Sequence, residues 1–195
     1  MKLIQLNEND TYNTYRYLGI SAITQVKPIT KEMLEKVMLM SEKRNVIIQL
    51  FDARKIATWK HIFIATINAI AAFKQKRNIT SQLSLEILLY ATAQRQIKDA
   101  INLLGVSEET KEVAILVLGE TEKKVVSAFK QVVDFLNGKE EENLLEIFNE
   151  AKLNKLLNTF KISEEEINAV ITEESKEEAV VKCIIDRISI FAVEK

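Results

Sequence analysis

Glycine and proline are nearly missing from this chain: four glycines and one proline stand among 195 residues, where ordinary globular proteins carry roughly 12% of the pair. A β-sandwich or barrel needs a turn signal every 8 to 12 residues or so, so those classes are excluded and a mostly helical chain is expected. Gly19, Gly105, Gly119 and Gly138 lie far apart. That excludes the phosphate-cradling loop and the dinucleotide fingerprint, whose clustered glycines let backbone approach phosphate. With one histidine, His61, and one cysteine, Cys183, neither a Cys/His zinc site nor an intramolecular disulfide can form. No metal and no cofactor are expected, and a reducing cytoplasm suits the chain. Residues 1–7 lack the basic and then apolar pattern of a signal peptide. The longest nearly apolar stretch, Ile62 to Phe73, is 12 residues, interrupted by Thr66 and Asn68, where a bilayer needs about 20. A soluble, cytoplasmic protein with no membrane partner is expected.

What is present suits a packed domain: 47% hydrophobic and 28% charged residues, enough apolar mass to exclude disorder. Tyr15 to Thr24 reads as a strand. Pro28 and Thr30 introduce an amphipathic helix over Lys31 to Lys43, with Met33, Leu34, Val37, Met38 and Ser41 at helical spacing. Val46 to Phe51 is too short for a buried helix and rich in β-formers, which predicts an interior strand. Helices follow over Trp59 to Lys76 and Leu83 to Leu104, then a strand over Val113 to Leu118. Thr121 caps a helix that runs to Asn137 and stops at Gly138. Another helix is expected from about Asn143 to Phe160. Ser163 with Glu166 forms a capping box, and the last apolar segment is Ala179 to Val193. No linker or repeat divides the chain, so residues 1–195 read as one compact domain of mixed α/β class, a small central sheet covered by several helices.

The net charge of −1 is unevenly placed. Between Ala53 and Lys98 eight basic residues face a single acid, Glu86, for a local +7 against −8 elsewhere. Such a surface suits a polyanion; it also serves simply to solubilise two very apolar helices. The acidic stretches at 140–142, 164–166 and 173–178 read as solvated faces.

On the Leu83 to Leu104 helix, a projection at 100° per residue puts Tyr90, Ala93, Ile97, Ala100, Ile101 and Leu104 on one face with Glu86 in its middle. A buried acid must be paired or neutralised; Glu86 therefore holds a backbone turn or an arginine, or lines a functional groove. Arg95, flanked by Gln94 and Gln96, is a surface salt-bridge residue or a fixed donor beside a second apolar stripe of Leu88 and Ala91. In the loop 76–81, Ser81 caps the next helix, or Lys76, Arg77 and Asn78 grip a phosphate there. Lys60 and Lys98 complete the candidate nucleic-acid face. His61 has no Ser and carboxylate at catalytic spacing and reads as structural; Trp59 reads as a packing anchor and Cys183 as a small hydrophobe. No catalytic constellation is found, so the protein is not expected to be an enzyme. The final helix projects two apolar stripes, Val180, Ile184, Ile188 and Phe191, then Ala179, Cys183 and Ile190 beside Asp186 and Arg187. The second stripe is either buried between core layers or covered by a partner.

Asp52-Ala-Arg54 after a strand, Asn68-Ala69 within an Ala/Ile-rich helix, Asn78-Ile79-Thr80, and the continuous run Leu85 to Ile97 together resemble the Cgi/TPRKB family. The closing Asp186-Arg187-Ile188-Ser189-Ile190-Phe191-Ala192-Val193 is similar to that family's last motif, with Asp186 where Glu is usual; Thr80 stands where Ser is usual. The resemblance spans most of the chain. It implies a non-catalytic subunit of the KEOPS complex, the machinery that installs threonylcarbamoyl on an anticodon-loop adenosine of tRNA. It further implies direct docking on a small atypical kinase/ATPase subunit, indirect association with the threonylcarbamoyl transferase subunit, and, in archaeal members, binding of the tRNA 3′ CCA end. Ala179, Cys183, Asp186, Arg187 and Ile190 are the expected docking residues. A protein-only adaptor that activates the kinase without touching RNA is the alternative.

Overall fold

The structure, a computed structural model, describes residues 1–7, 15–24, 27–146, 148–170 and 175–194. Among them a fully antiparallel sheet is covered by helices on both faces, the mixed α/β class expected. Its strands are β1 (Lys2–Gln5), β2 (Tyr17–Thr24), β3 (Ile47–Asp52), β4 (Glu112–Gly119) and β5 (Lys139–Glu140), in the order β1-β2-β4-β3, with β5 pairing β2. β2 and β4 pair along their whole length, Tyr17 opposite Gly119 and Thr24 opposite Glu112.

Alternation assigns the two faces. Leu18, Ile20 and Ala22 of β2, with Ala114, Leu116 and Leu118 of β4, belong to one core, and Ile23, Val113, Ile115 and Val117 belong to the other. An antiparallel sheet often leaves one face wet; here both are dry, which is why β4 reads as an unbroken apolar run. α1 (Lys31–Arg44) and α5 (Glu122–Leu136) cover the second face. Thr30 and Thr121 cap them, their hydroxyls accepting from the N–H of Met33 and Lys124. α5 lies so close to β2 that a Cβ on Gly19 would meet Val125 Cγ1 at 2.7 Å, a real packing demand for glycine.

The first face carries α2 (Trp59–Lys74), α3 (Leu83–Thr92), α6 (Glu150–Phe160), α7 (Glu164–Val170) and α8 (Lys176–Val193); α4 (Ile97–Leu104) extends from α3. Three expectations are corrected here. The helix expected over Leu83 to Leu104 is two helices, because Ala93 adopts the left-handed region (φ 50°) and ends α3. That break dissolves the single face projected across it: Tyr90, Ala100 and Leu104 are buried, whereas Ile97 and Ile101 are exposed. The helix expected from Asn143 is a 3-10 turn over Glu142–Leu145 followed by α6, which starts only after the Asn149 side chain caps Lys152 N–H. β3 lies at an edge of the sheet rather than inside it; its apolar run reflects α1 and α3 packed on its two faces. β1 and β5 carried no strand signal strong enough to expect.

The Ser163 and Glu166 box is present in both directions, at 2.9 and 3.3 Å. Glu173 and Glu174 of the third acidic stretch lie outside the described residues. Among the described residues no helix is long and apolar enough to cross a membrane.

Candidate functional site

The α2 to α3 hairpin organises the candidate surface. Glu86, fully buried, accepts from the N–H of Ile79 at 3.0 and 3.1 Å and from that of Thr80 at 2.9 Å. Of the roles open to it in sequence, the first is the one found: its carboxylate fixes the connecting loop from within. The Thr80 hydroxyl accepts from Gln82 N–H and donates to Gln82 O. Ser81 is exposed and Gln82, not Ser81, is the cap residue of α3. Asn78 donates to Thr80 O at 2.9 Å, closing the same loop.

At the other end of the hairpin, His61 is fully buried. Its Nε2–H donates to Ala91 O at 2.8 Å and its Nδ1 faces Ala57 N–H at 3.4 Å, so one neutral tautomer satisfies both ring nitrogens. Burial pushes its pKa down to about 4. The structural role expected of it is what the geometry gives. Trp59 is half-buried against Phe63, with Lys2 Nζ 5.7 Å from its ring.

The basic residues do not form one patch. α2 has 16 residues and so spans about 24 Å at 1.5 Å per residue. Lys60 sits at its start, while Lys76 and Arg77 follow its end. Arg95 and Lys98 flank the α3 to α4 break, at the end of α3 tied to the start of α2 through His61 and Ala91. Lys60, Lys76, Arg77, Arg95 and Lys98 are all exposed and Asn78 is half-buried. Two positive ends, separated by the length of the hairpin, therefore replace the continuous +7 surface.

Arg95 also has a structural contact: its Nη2 donates to Glu194 O at 3.0 Å, tying the end of α8 to the α3 to α4 break. Between these elements and the end of α6 lies a cleft of about 500 Å³, with Ala93, Gln94, Phe160, Arg187, Ile190 and Glu194 among its walls. Arg187 is held over it by Glu166 at 2.6 Å, and hydrogen bonding from Ser163 together with the Arg187 charge keeps the Glu166 carboxyl below its ordinary range. Phe191 packs edge-on against Tyr90 at 5.1 Å.

The two stripes of α8 are thereby resolved. Val180, Ile184, Ile188 and Phe191 are core. So are Ala179, at 0% exposure, and Cys183, at 6%, both sealed by neighbouring helices; burial pushes the Cys183 thiol pKa up. Asp186 is exposed and Arg187 half-buried, and Ile190, 55% exposed, is the part of the second stripe that stays at the surface. Ala179 and Cys183 thus lie beneath the surface that presents Asp186, Arg187 and Ile190.

Sequence reasoning missed a basic side chain, Lys152, that lines a second cavity with Arg54 and Lys155. Its ordinary place one turn into an amphipathic helix gave no signal. Asp52 and Arg54 were noticed only as part of a pattern. In the fold, Arg54 Nε and Nη2 clamp the two Asp52 oxygens at 2.9 Å each.

Residues 22–191 match the family described as Kinase binding protein CGI-121. The Regulatory protein Cgi121 of Methanocaldococcus jannaschii is 32% identical over 114 residues, which cover 58% of this chain and 70% of that protein. A match that takes in the end of β2, all of β3 and β4, the α2 to α3 hairpin and α8 as far as Phe191 identifies the chain as a member of the CGI-121 family of kinase-binding proteins.

Proposed function

We propose that this chain, acting as one domain over residues 1–195, is a non-catalytic accessory subunit of the KEOPS complex, the cytoplasmic machinery for threonylcarbamoyladenosine modification of tRNA. It docks directly on the small atypical kinase/ATPase subunit, meets the threonylcarbamoyl transferase through it, and binds the tRNA 3′ CCA end. The observation that carries the docking reading is Ile190, more than half exposed on the last helix beside the salt-bridged Arg187 and the cleft below it. A large aliphatic side chain kept in water at the rim of a cleft, next to a fixed guanidinium, is the arrangement of an interface anchor and its polar rim.

Ile190→Glu tests this. Because the side chain is exposed, the variant folds; it is expected to lose co-purification with the kinase subunit while tRNA binding persists. A folded variant that still co-purifies moves the docking surface elsewhere. The adaptor reading without RNA draws support from the separation of the basic residues into two ends of the hairpin. Filter binding of tRNA with and without its CCA end separates the two readings: discrimination supports the first, and no binding of either supports the second.

A further inference from the structure

On the side of the molecule formed by the Ala53–Lys55 turn, the start of β4 and the start of α6 lies a cavity of about 450 Å³. It is distinct from the cleft at α8 and shares no lining residue with it. Three cations line it: Arg54, Lys152 and Lys155, with Glu112 as the one carboxylate of the lining.

Each cation is placed differently. Arg54 is preset: Asp52, itself 3% exposed in its side chain, holds Nε and Nη2 in a bidentate clamp and also accepts from Arg54 N–H at 3.2 Å. That leaves Nη1 with no partner among the described residues. Lys152 is half-buried. Its Nζ donates to Leu144 O at 2.7 Å and lies 5.2 Å from the Phe148 ring centre, and among the described residues no carboxylate comes within ion-pair distance of it. Lys155, one turn on, is exposed at the mouth.

An ammonium taken largely out of water with only a carbonyl and an aromatic face for company bears an uncompensated desolvation cost. Burial accordingly pushes the Lys152 pKa down to about 8, with Glu112 opposing the shift. The buried carboxylates among the described residues are neutralised in place: Asp52 has Arg54 and Lys55, and Glu86 has its backbone donors. Lys152 is left for something from outside. A preset guanidinium edge beside two ammonium groups offers the fork and point charges that an oxyanion takes, and the volume falls in the range of small-ligand pockets.

We propose that the cavity bounded by Arg54, Lys152 and Lys155 is an anion site that takes a phosphate group. A free phosphate and a phosphate of an RNA strand share this chemistry. The inference stands on this cavity alone and does not depend on the docking reading.

The test is an NMR titration of the amide resonances of residues 53–55 and 149–155 with inorganic phosphate at pH 7, at ionic strength held constant with sodium chloride. Saturable shifts are expected in the unaltered protein. Lys152→Met removes the charge while keeping an unbranched apolar side chain and is expected to abolish saturation. Glu112→Gln, which removes the opposing carboxylate, is expected to tighten binding about threefold, a gain that a purely structural cavity does not give. Shifts that never saturate in the unaltered protein overturn the proposal. So does saturation that persists unchanged in Lys152→Met. If that variant fails to fold, an unchanged affinity in Glu112→Gln overturns it equally. A tRNA arm separates the sources: competition between phosphate and tRNA for the same resonances assigns the site to an RNA phosphate, and phosphate saturation unaffected by tRNA assigns it to a free one.

Discussion

His61 shows how a single buried side chain writes a pH dependence into the whole chain. Its pKa lies at about 4 in the folded protein, because burial disfavours the imidazolium, and at about 6.5 when unfolded. Between those values the unfolded chain takes up a proton that the folded one refuses, so stability falls as pH falls through that window. At 1.36 kcal/mol per unit the loss amounts to about 3 kcal/mol by pH 4. Urea denaturation of the protein and of His61→Gln, measured from pH 7 to pH 4, is expected to show the gap between them closing by about that amount. Parallel curves would overturn the assignment. The structural role of His61 is legible in the sequence by elimination, since no partner for catalysis or metal binding stands at a workable spacing. Its partners are not legible there, because they are backbone groups of Ala57 and Ala91 and so have no signature in residue type.

At the scale of elements, amphipathic spacing with the caps Thr30 and Thr121 was enough for α1 and α5, whereas α2 showed only as a nearly all-apolar stretch and the Ser175 and Glu178 box that starts α8 lies ahead of the apolar segment from Ala179. The break between α3 and α4 was illegible because alanine is the best helix former there is, and Ala93 enters the left-handed region all the same. That conformation costs a non-glycine residue roughly 1–2 kcal/mol, and it is retained where Arg95 reaches the end of α8. Ala93→Gly removes the steric cost at the expense of a more flexible unfolded chain. A net stabilisation of about 0.5–1 kcal/mol is expected, read as a rise in Tm; a fall would mean that the methyl group packs in a way its half-buried setting does not suggest. The edge position of β3 was illegible for a different reason. Its apolar run reports how well the strand is covered, by α1 and α3, and not which strands lie beside it. The split of the second α8 stripe likewise needed the neighbours of Ala179 and Cys183, which lie far away in sequence.

For the molecule as a whole, the separation of positive charge changes what RNA binding should look like. Arg77 and Arg95 bracket α3, whose 10 residues span about 15 Å, beyond the distance at which substitutions usually couple. If both meet phosphates, charge reversal at each is expected to weaken tRNA binding independently, so that the logarithms of the two losses add in the double variant. The slope of affinity against salt should shrink with each. Filter binding over a range of salt concentrations checks both statements, and a double variant no weaker than either single one would show that only one end of the hairpin meets RNA.

The doubly covered sheet carries one more consequence, for how the molecule breathes. β4 is hydrogen-bonded on both sides, to β2 and β3, and six consecutive residues, Val113 to Leu118, are fully buried. Freeing their amides requires breaking the pairing to β2 and β3, strands that both cores hold in place, so partial unfolding of one helical layer is not enough to strip β4. In deuterated buffer the helices of each layer should exchange at their own pace, while the β4 amides wait for the global event and time the lifetime of the fold.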